Sequence, residues 1–178
     1  MSVSLLYPLN DFYEEAGVTP PPAVPVEPAG IPEPSRGLLV HDRDMTPTLE
    51  AAHGRSIHLR VIRYRQDRDV VSRQVLLVLD GEETAVAMGA IKIYLDRFPK
   101  QARQLIVEGS KPLGTILRLQ KIAHHCHPSA YFAIEADAAI AEALGAAPGQ
   151  TLYGRRNTHW DESGQVLAQV LEILPSGV

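Results

Sequence analysis

At 178 residues, with 45% hydrophobic and 21% charged residues, the chain has the size and make-up of one globular domain. A formal net charge of −4 excludes a bulk positive field for nucleic acid or an anionic membrane. The single cysteine, Cys126, excludes an internal disulfide, no run approaches the roughly 20 apolar residues that cross a bilayer, and no basic flank precedes an apolar run near the amino terminus, so the chain reads as cytoplasmic.

The first segment, SLLYPLNDFYEEAG, has the pattern of a short amphipathic helix. From Pro20 to Pro34 follow seven prolines in fifteen residues, which favours extended polyproline geometry and reads as a spacer or a strap over the surface. Residues 1–36 are therefore expected to be a Pro-rich extension and 37–178 the folded domain. In HDRDMTPTLEAAHG, Thr46 is the expected helix cap, Pro47 suits the first turn and Gly54 the end. SIHLRVIRYRQ and VVSRQVLLVL read as a hairpin turning between Asp67 and Asp69, and DGEET turns the chain into a third strand, AVAMGAIKIYL. DRFPKQARQLIV has helical spacing and stops at Gly109, a second short helix starts near Pro112, and EADAAIAEALGA is a third, closed by Gly145. TLYGRRNTHW and QVLAQVLEILP, joined by DESG, form a last hairpin. Strands first, helices in the middle and a closing hairpin predict an α+β fold built on one antiparallel sheet.

Two charges stand out within strands that read as buried on both faces: Arg73 in RQVLLVLDG and Glu172 in VLAQVLEILP. A buried charge costs several kcal/mol, roughly, unless paired, so the two residues are either ligand contacts or a salt bridge with each other. Alternation puts Arg73 on the face of Val75 and Leu77, and Glu172 on the face of Val170 and Leu174. Arg155 and Arg156 are sequence neighbours in a strand, so at most one points inward. The run AHHCHP holds His124, His125, Cys126 and His127, but one short segment rarely supplies more than two of the four donors of a zinc site. No second cluster completes the set, and no metal is expected. His41, His53, His58 and His159 are scattered and suggest no triad, and Ser72 has no neighbouring base.

DMTPTLE, RQVLLVLDG, GAIKIYLDRFP, KPLGTIL, YGRR and GQVLAQVLEILP occur in this order between Asp44 and Pro175. In this ordered set the chain resembles the chorismate pyruvate-lyases, most closely a divergent branch once classed as a domain of unknown function, with a UTRA-like fold. The resemblance implies one antiparallel sheet with helical flaps over an internal ligand cavity. It also implies elimination of pyruvate from chorismate to leave 4-hydroxybenzoate, with no cofactor and no metal. By the same resemblance Arg73 would hold a carboxylate, Glu172 would accept the ring hydroxyl and act as base, and Met45, Leu113 and Gly114, beside Pro112, would touch the ring. Arg155 or Arg156 would hold the second carboxylate. Arginine suits this task because its planar fork grips a carboxylate with two bonds. The sequence departs from the better-known lyases at Gly89, Ala90 and Ile91, where a basic residue would follow the glycine.

Two alternatives share these residues. The same fold serves as the effector-binding domain of transcription regulators, which makes the chain a non-catalytic binder of an aromatic acid; or the reaction is a related elimination on a chorismate relative. Such regulators carry a helix-turn-helix ahead of the sensor, and the first 36 residues are too short and proline rich for one, which favours the enzyme. The expected partner is a small molecule, chorismate in the first reading, with neither nucleic acid nor membrane.

Overall fold

The computed structural model describes residues 3–177. Among them, seven strands form one antiparallel sheet in the order β1-β5-β6-β7-β4-β3-β2, accompanied by six α-helices. The inner strands β3 (Val70–Leu79), β4 (Ala85–Tyr94) and β7 (Val166–Leu174) are buried along nearly their whole length, which is why they are apolar on both faces. β2 (Ile57–Asp67) is an edge strand and mostly exposed; its arginines and a register irregularity at Val61/Arg63 suit an edge that must not recruit another strand. The β2–β3 hairpin turns through Arg68 and Asp69, with Arg68 at φ 50°. In the final hairpin, between β6 (Thr151–Asp161) and β7, the Asp161 carboxylate accepts hydrogen bonds from the Ser163 and Gln165 amides at 2.8 and 2.9 Å.

Alternation along the strands sorts the side chains into two cores. On one face, α1 (Leu9–Glu15) and α6 (Ala138–Leu144) bury Leu9, Phe12 and Ile140 against Leu76, Met88 and Ile173. The Asp137 side chain caps α6 by accepting from the Ile140 amide at 2.8 Å, and it also accepts the Tyr13 hydroxyl at 2.6 Å. The other face is covered by α3 (Met45–His53), α4 (Lys100–Glu108) and α5 (Leu113–Leu119), with Ile106 and Ile116 over Val71, Ile91 and Val170. α2 (Ser35–Leu39) adds Leu39 beside Leu49 and Leu77. No helix among the described residues is long and apolar enough to cross a membrane.

The α+β class with a single antiparallel sheet agrees with the sequence reading. One local expectation needs correction, one strand was not anticipated, and the Pro-rich segment follows the strap reading more than the spacer one. Thr46 is not the cap of α3: the cap position is Asp44, whose side chain makes no capping bond because it is turned toward histidines of β5 and β6. The run from His124 to Glu135 is a twelve-residue strand, β5, hidden in the sequence by its histidines and by Pro128; a register irregularity between Pro128 and Ala130 accommodates the missing N–H. The Pro-rich segment does not stand off as a spacer: β1 (Ala23–Pro25) pairs with β5 at Phe132–Ile134, and α1 before it is part of the core.

Candidate functional site

A cleft opens between the sheet and the helices α3 and α5. Its floor is Arg73, Val75 and Leu77 of β3, Ala87, Gly89 and Ile91 of β4, and Val170 and Glu172 of β7. Its lips are Asp44, Met45 and Thr46 at the start of α3, facing Pro112, Leu113 and Gly114 at the start of α5. The lips meet closely: a Cβ on Gly114 would lie 3.4 Å from Asp44 Cβ. The enclosed space is about 60 Å3, enough for about four to six waters at ~10–15 Å3 each. Beyond that space the cleft opens to solvent between the two lips.

The register explains how the floor is built. Val75, Gly89, Glu172 and Arg155 lie opposite one another in a row across four strands, and Arg73, Ile91, Val170 and Asn157 form the next row. Gly89 leaves a notch between Val75 and Glu172; a Cβ there would come within 3.3 Å of Val75 Cγ2. Arg73 and Glu172 therefore share the cleft face, separated by β4.

The pairing of charges differs from the salt bridge weighed above. Glu172 is bonded to Arg155, whose Nε donates to Oε2 at 2.6 Å, with the Arg155 side chain fully buried. Arg155 also donates to the carbonyls of Leu39, His41 and Arg43 at 3.2, 3.0 and 3.1 Å, so four of its five N–H groups are engaged and it does not line the cleft. Arg156 lies on the opposite face and donates to the Ser129 hydroxyl and the Ser4 carbonyl at 2.9 and 2.7 Å. Neither arginine is placed to hold a second carboxylate in the cleft.

Arg73 is 1% exposed and has no carboxylate partner among the described residues. Its one hydrogen bond is from Nη1 to the Ile106 carbonyl in the last turn of α4, at 3.3 Å, and its Nε is buried without a partner. Burial pulls its pKa down from 12.5 to about 10, against a smaller opposing pull from Tyr64. Met45, Leu113, Gly114 and Glu172 line the same cleft.

Sequence reasoning missed Asp44 and His159, which also line it. Burial pushes the Asp44 carboxyl up, but hydrogen bonds from His124 and His159 outweigh that and hold it well below the usual carboxylate range. The signal available for His159 was alternation, which places Arg155, Asn157 and His159 on one face of β6; all three are buried.

No protein-family model matches the chain, and no curated protein matches it. Solved structures do. PhnF from Mycobacterium smegmatis superposes with a TM-score of 0.59 at 16% identity, covering 77% of this chain; the chain spans only 65% of that protein's length. The effector domain of the same PhnF gives 0.57 at 16% identity, over 78% of this chain and 91% of that one. The ligand-binding domain of a regulator assigned to the GntR family, from Bordetella bronchiseptica, gives 0.53 at 13% identity, over 68% and 86%. At these identities the likeness is one of fold. It corrects the expectation of a lyase: the solved domains this chain resembles are an effector domain and the ligand-binding domain of a regulator. The glutamate assigned as base is, moreover, already engaged by Arg155.

Proposed function

We propose that this chain is a non-catalytic binding domain for a small aromatic acid, with the ligand carboxylate on Arg73 and its ring in the slot between the sheet and the two helical lips. The observation that carries this is Arg73 itself: a fully buried guanidinium, without a carboxylate partner among the described residues, at the floor of an apolar cleft. A cation in that position is destabilising when alone and is relieved by an anion that offers two parallel acceptors.

The spacing supports a ring as the body of the ligand. Arg73 on β3 and Glu172 on β7 stand two strand spacings across and two residues along, about 12 Å apart at the backbone, with Gly89 and Ile91 of β4 between them on this face. A planar ring is the body that would span from one charge to the other over the notch at Gly89. A hydroxyl opposite the carboxylate would donate to Glu172, which keeps Arg155 as its other partner. The kinship of fold with regulator effector domains agrees with binding as the role.

The test is calorimetric titration of the chain with benzoate, 4-hydroxybenzoate and chorismate, repeated on Arg73→Met and Glu172→Gln. Saturable binding that Arg73→Met abolishes, with 4-hydroxybenzoate favoured over benzoate in the wild type only, is expected. Binding unaffected by Arg73→Met, or pyruvate released from chorismate, would overturn the proposal.

A further inference from the structure

At one end of the cleft, the side chains of Asp44, His124, Cys126 and His159 converge from three separate elements. Asp44 precedes α3, His124 and Cys126 lie two apart on one face of β5, and His159 is paired across the sheet with Cys126. We propose that these four residues form a binding site for a divalent transition metal of the zinc class.

The donor set is one such a cation selects: two imidazoles, a thiolate and a carboxylate, as suits a borderline-soft ion in tetrahedral coordination. The spacing fits as well. His124 Nε2 lies 3.0 Å from Asp44 Oδ2 and His159 Nε2 lies 3.0 Å from Oδ1, while Cys126 Sγ lies 3.8 Å from Oδ1. The ligand atoms of Asp44, Cys126 and His159 all fall within 4.8 Å of one another. A tetrahedron with metal–N and metal–O bonds of ~2.0 Å and a metal–S bond of ~2.3 Å has edges of about 3.3 Å between N and O and about 3.5 Å between O and S. Asp44, Cys126 and His159 would close on those edges by shifts of up to about 1.5 Å, and His124, 3.0 Å from the Asp44 carboxylate but farther from the other two, would turn in as the fourth donor.

Two local features point to a cation at the centre. His124 Nδ1 lies 2.9 Å from the Ile122 carbonyl oxygen and must carry the proton to donate there. Nε2 is then the atom that faces the Asp44 carboxylate: without an ion it carries a proton and donates there, and with an ion in place of that proton its lone pair is aimed to ligate. Such a backbone acceptor behind a ligating histidine is also how metal sites fix the tautomer. Asp44, for its part, sits at the cap position of α3 yet gives up the capping bond to face the histidines, forgoing about 1 kcal/mol of helix stabilisation. With four protein donors the site is closed and structural in type. It would fasten the first residue of α3 to β5 and β6 at the rim of the cleft, which Asp44 and His159 also line.

The experiment is titration of the untagged, chelator-treated full chain with Zn2+ by calorimetry and with Co2+ by absorption. One equivalent of each should bind. The cobalt form should show visible bands of tetrahedral intensity and a near-ultraviolet thiolate charge-transfer band. Cys126→Ser should remove the charge-transfer band and keep the visible ones; His124→Ala and His159→Ala should each weaken Zn2+ by about tenfold or more. His127→Ala, at an exposed neighbour, should change nothing. Absence of saturable binding, a charge-transfer band that survives Cys126→Ser, or a loss caused by His127→Ala would overturn the proposal. Should either alanine variant fail to fold by circular dichroism, the Cys126→Ser spectrum decides.

Discussion

Replacing Arg73 by methionine should make the empty protein more stable while destroying its affinity for an organic acid. The pKa of Arg73, pulled from 12.5 to about 10 by burial, corresponds to about 3 kcal/mol against the charged side chain, at ~1.36 kcal/mol per pH unit. Against this stands one hydrogen bond from a charged donor to the Ile106 carbonyl, about 1.5 kcal/mol at 3.3 Å. The net gain on substitution is therefore about 1–2 kcal/mol, or roughly 2–8 °C in Tm at ~2–4 °C per kcal/mol for a domain of this size. Methionine follows the path of the arginine stem and meets Val75, Leu77 and Ile91 with apolar atoms only. Urea unfolding of both proteins, with and without benzoate, measures it. Benzoate should stabilise the wild type and leave Arg73→Met unmoved. A loss of more than about 1 kcal/mol in the empty variant would refute the reasoning, because Arg73 would then be a paired structural cation and not a vacant anion receptor.

Arg155→Met should cost about 3–5 kcal/mol by leaving Glu172 buried without its cation, and adding Glu172→Gln should recover much of the loss; denaturant unfolding of the singles and the double gives the coupling. Gly154→Ala should fold poorly or lose about 3 kcal/mol or more, since a Cβ there would overlap the Glu172 carbonyl oxygen and the Phe132 ring, with Cε2 at 2.7 Å; thermal melts report it. Tyr13 has its pKa raised by burial and by its bond to Asp137, so its contribution is complete below the unfolded value of about 10 and is lost as pH rises beyond it. Tyr13→Phe should flatten the alkaline fall in stability and cost about 1–2 kcal/mol at neutral pH, as unfolding between neutral and strongly alkaline pH would record.

What the sequence disclosed was whatever depends on short-range pattern. Arg73 and Glu172 stood out because a charge within a strand buried on both faces is visible without knowing the strand's neighbours, and alternation alone put each on the cleft face. Pairing was another matter. Counting outward from the DESG turn, Trp160 opposite Val166 would bring Leu171 opposite Arg155, but the irregularity at His159/Trp160 shifts the register by one and puts Glu172 there. That one residue decides which arginine is neutralised by Glu172 and which has no carboxylate partner among the described residues. The meeting of Asp44 with His124, Cys126 and His159 joins segments separated by 80 or more positions in one direction and about 35 in another, which no local period encodes. β5 escaped notice because histidines and a proline obscure its alternation, and its place between β1 and β6 follows only from the fold. The lyase expectation came from resemblance of motifs that build the cleft, and a cleft is common to binders and catalysts alike.

The four donated bonds of Arg155 make the two lips of the cleft mechanically unequal. One of them ends on the carbonyl of Leu39, the last residue of α2, two on carbonyls of the loop from there to α3, and the fourth fastens the guanidinium to β7, so that stretch is riveted to the middle of the sheet. The opposite lip is reached from α4 by the short link Gly109–Lys111, with Gly109 at φ 69°. A ligand larger than the closed space must therefore enter by swinging α5 away from a stationary α3, and amide exchange at residues 109–114 should outpace that at 39–46.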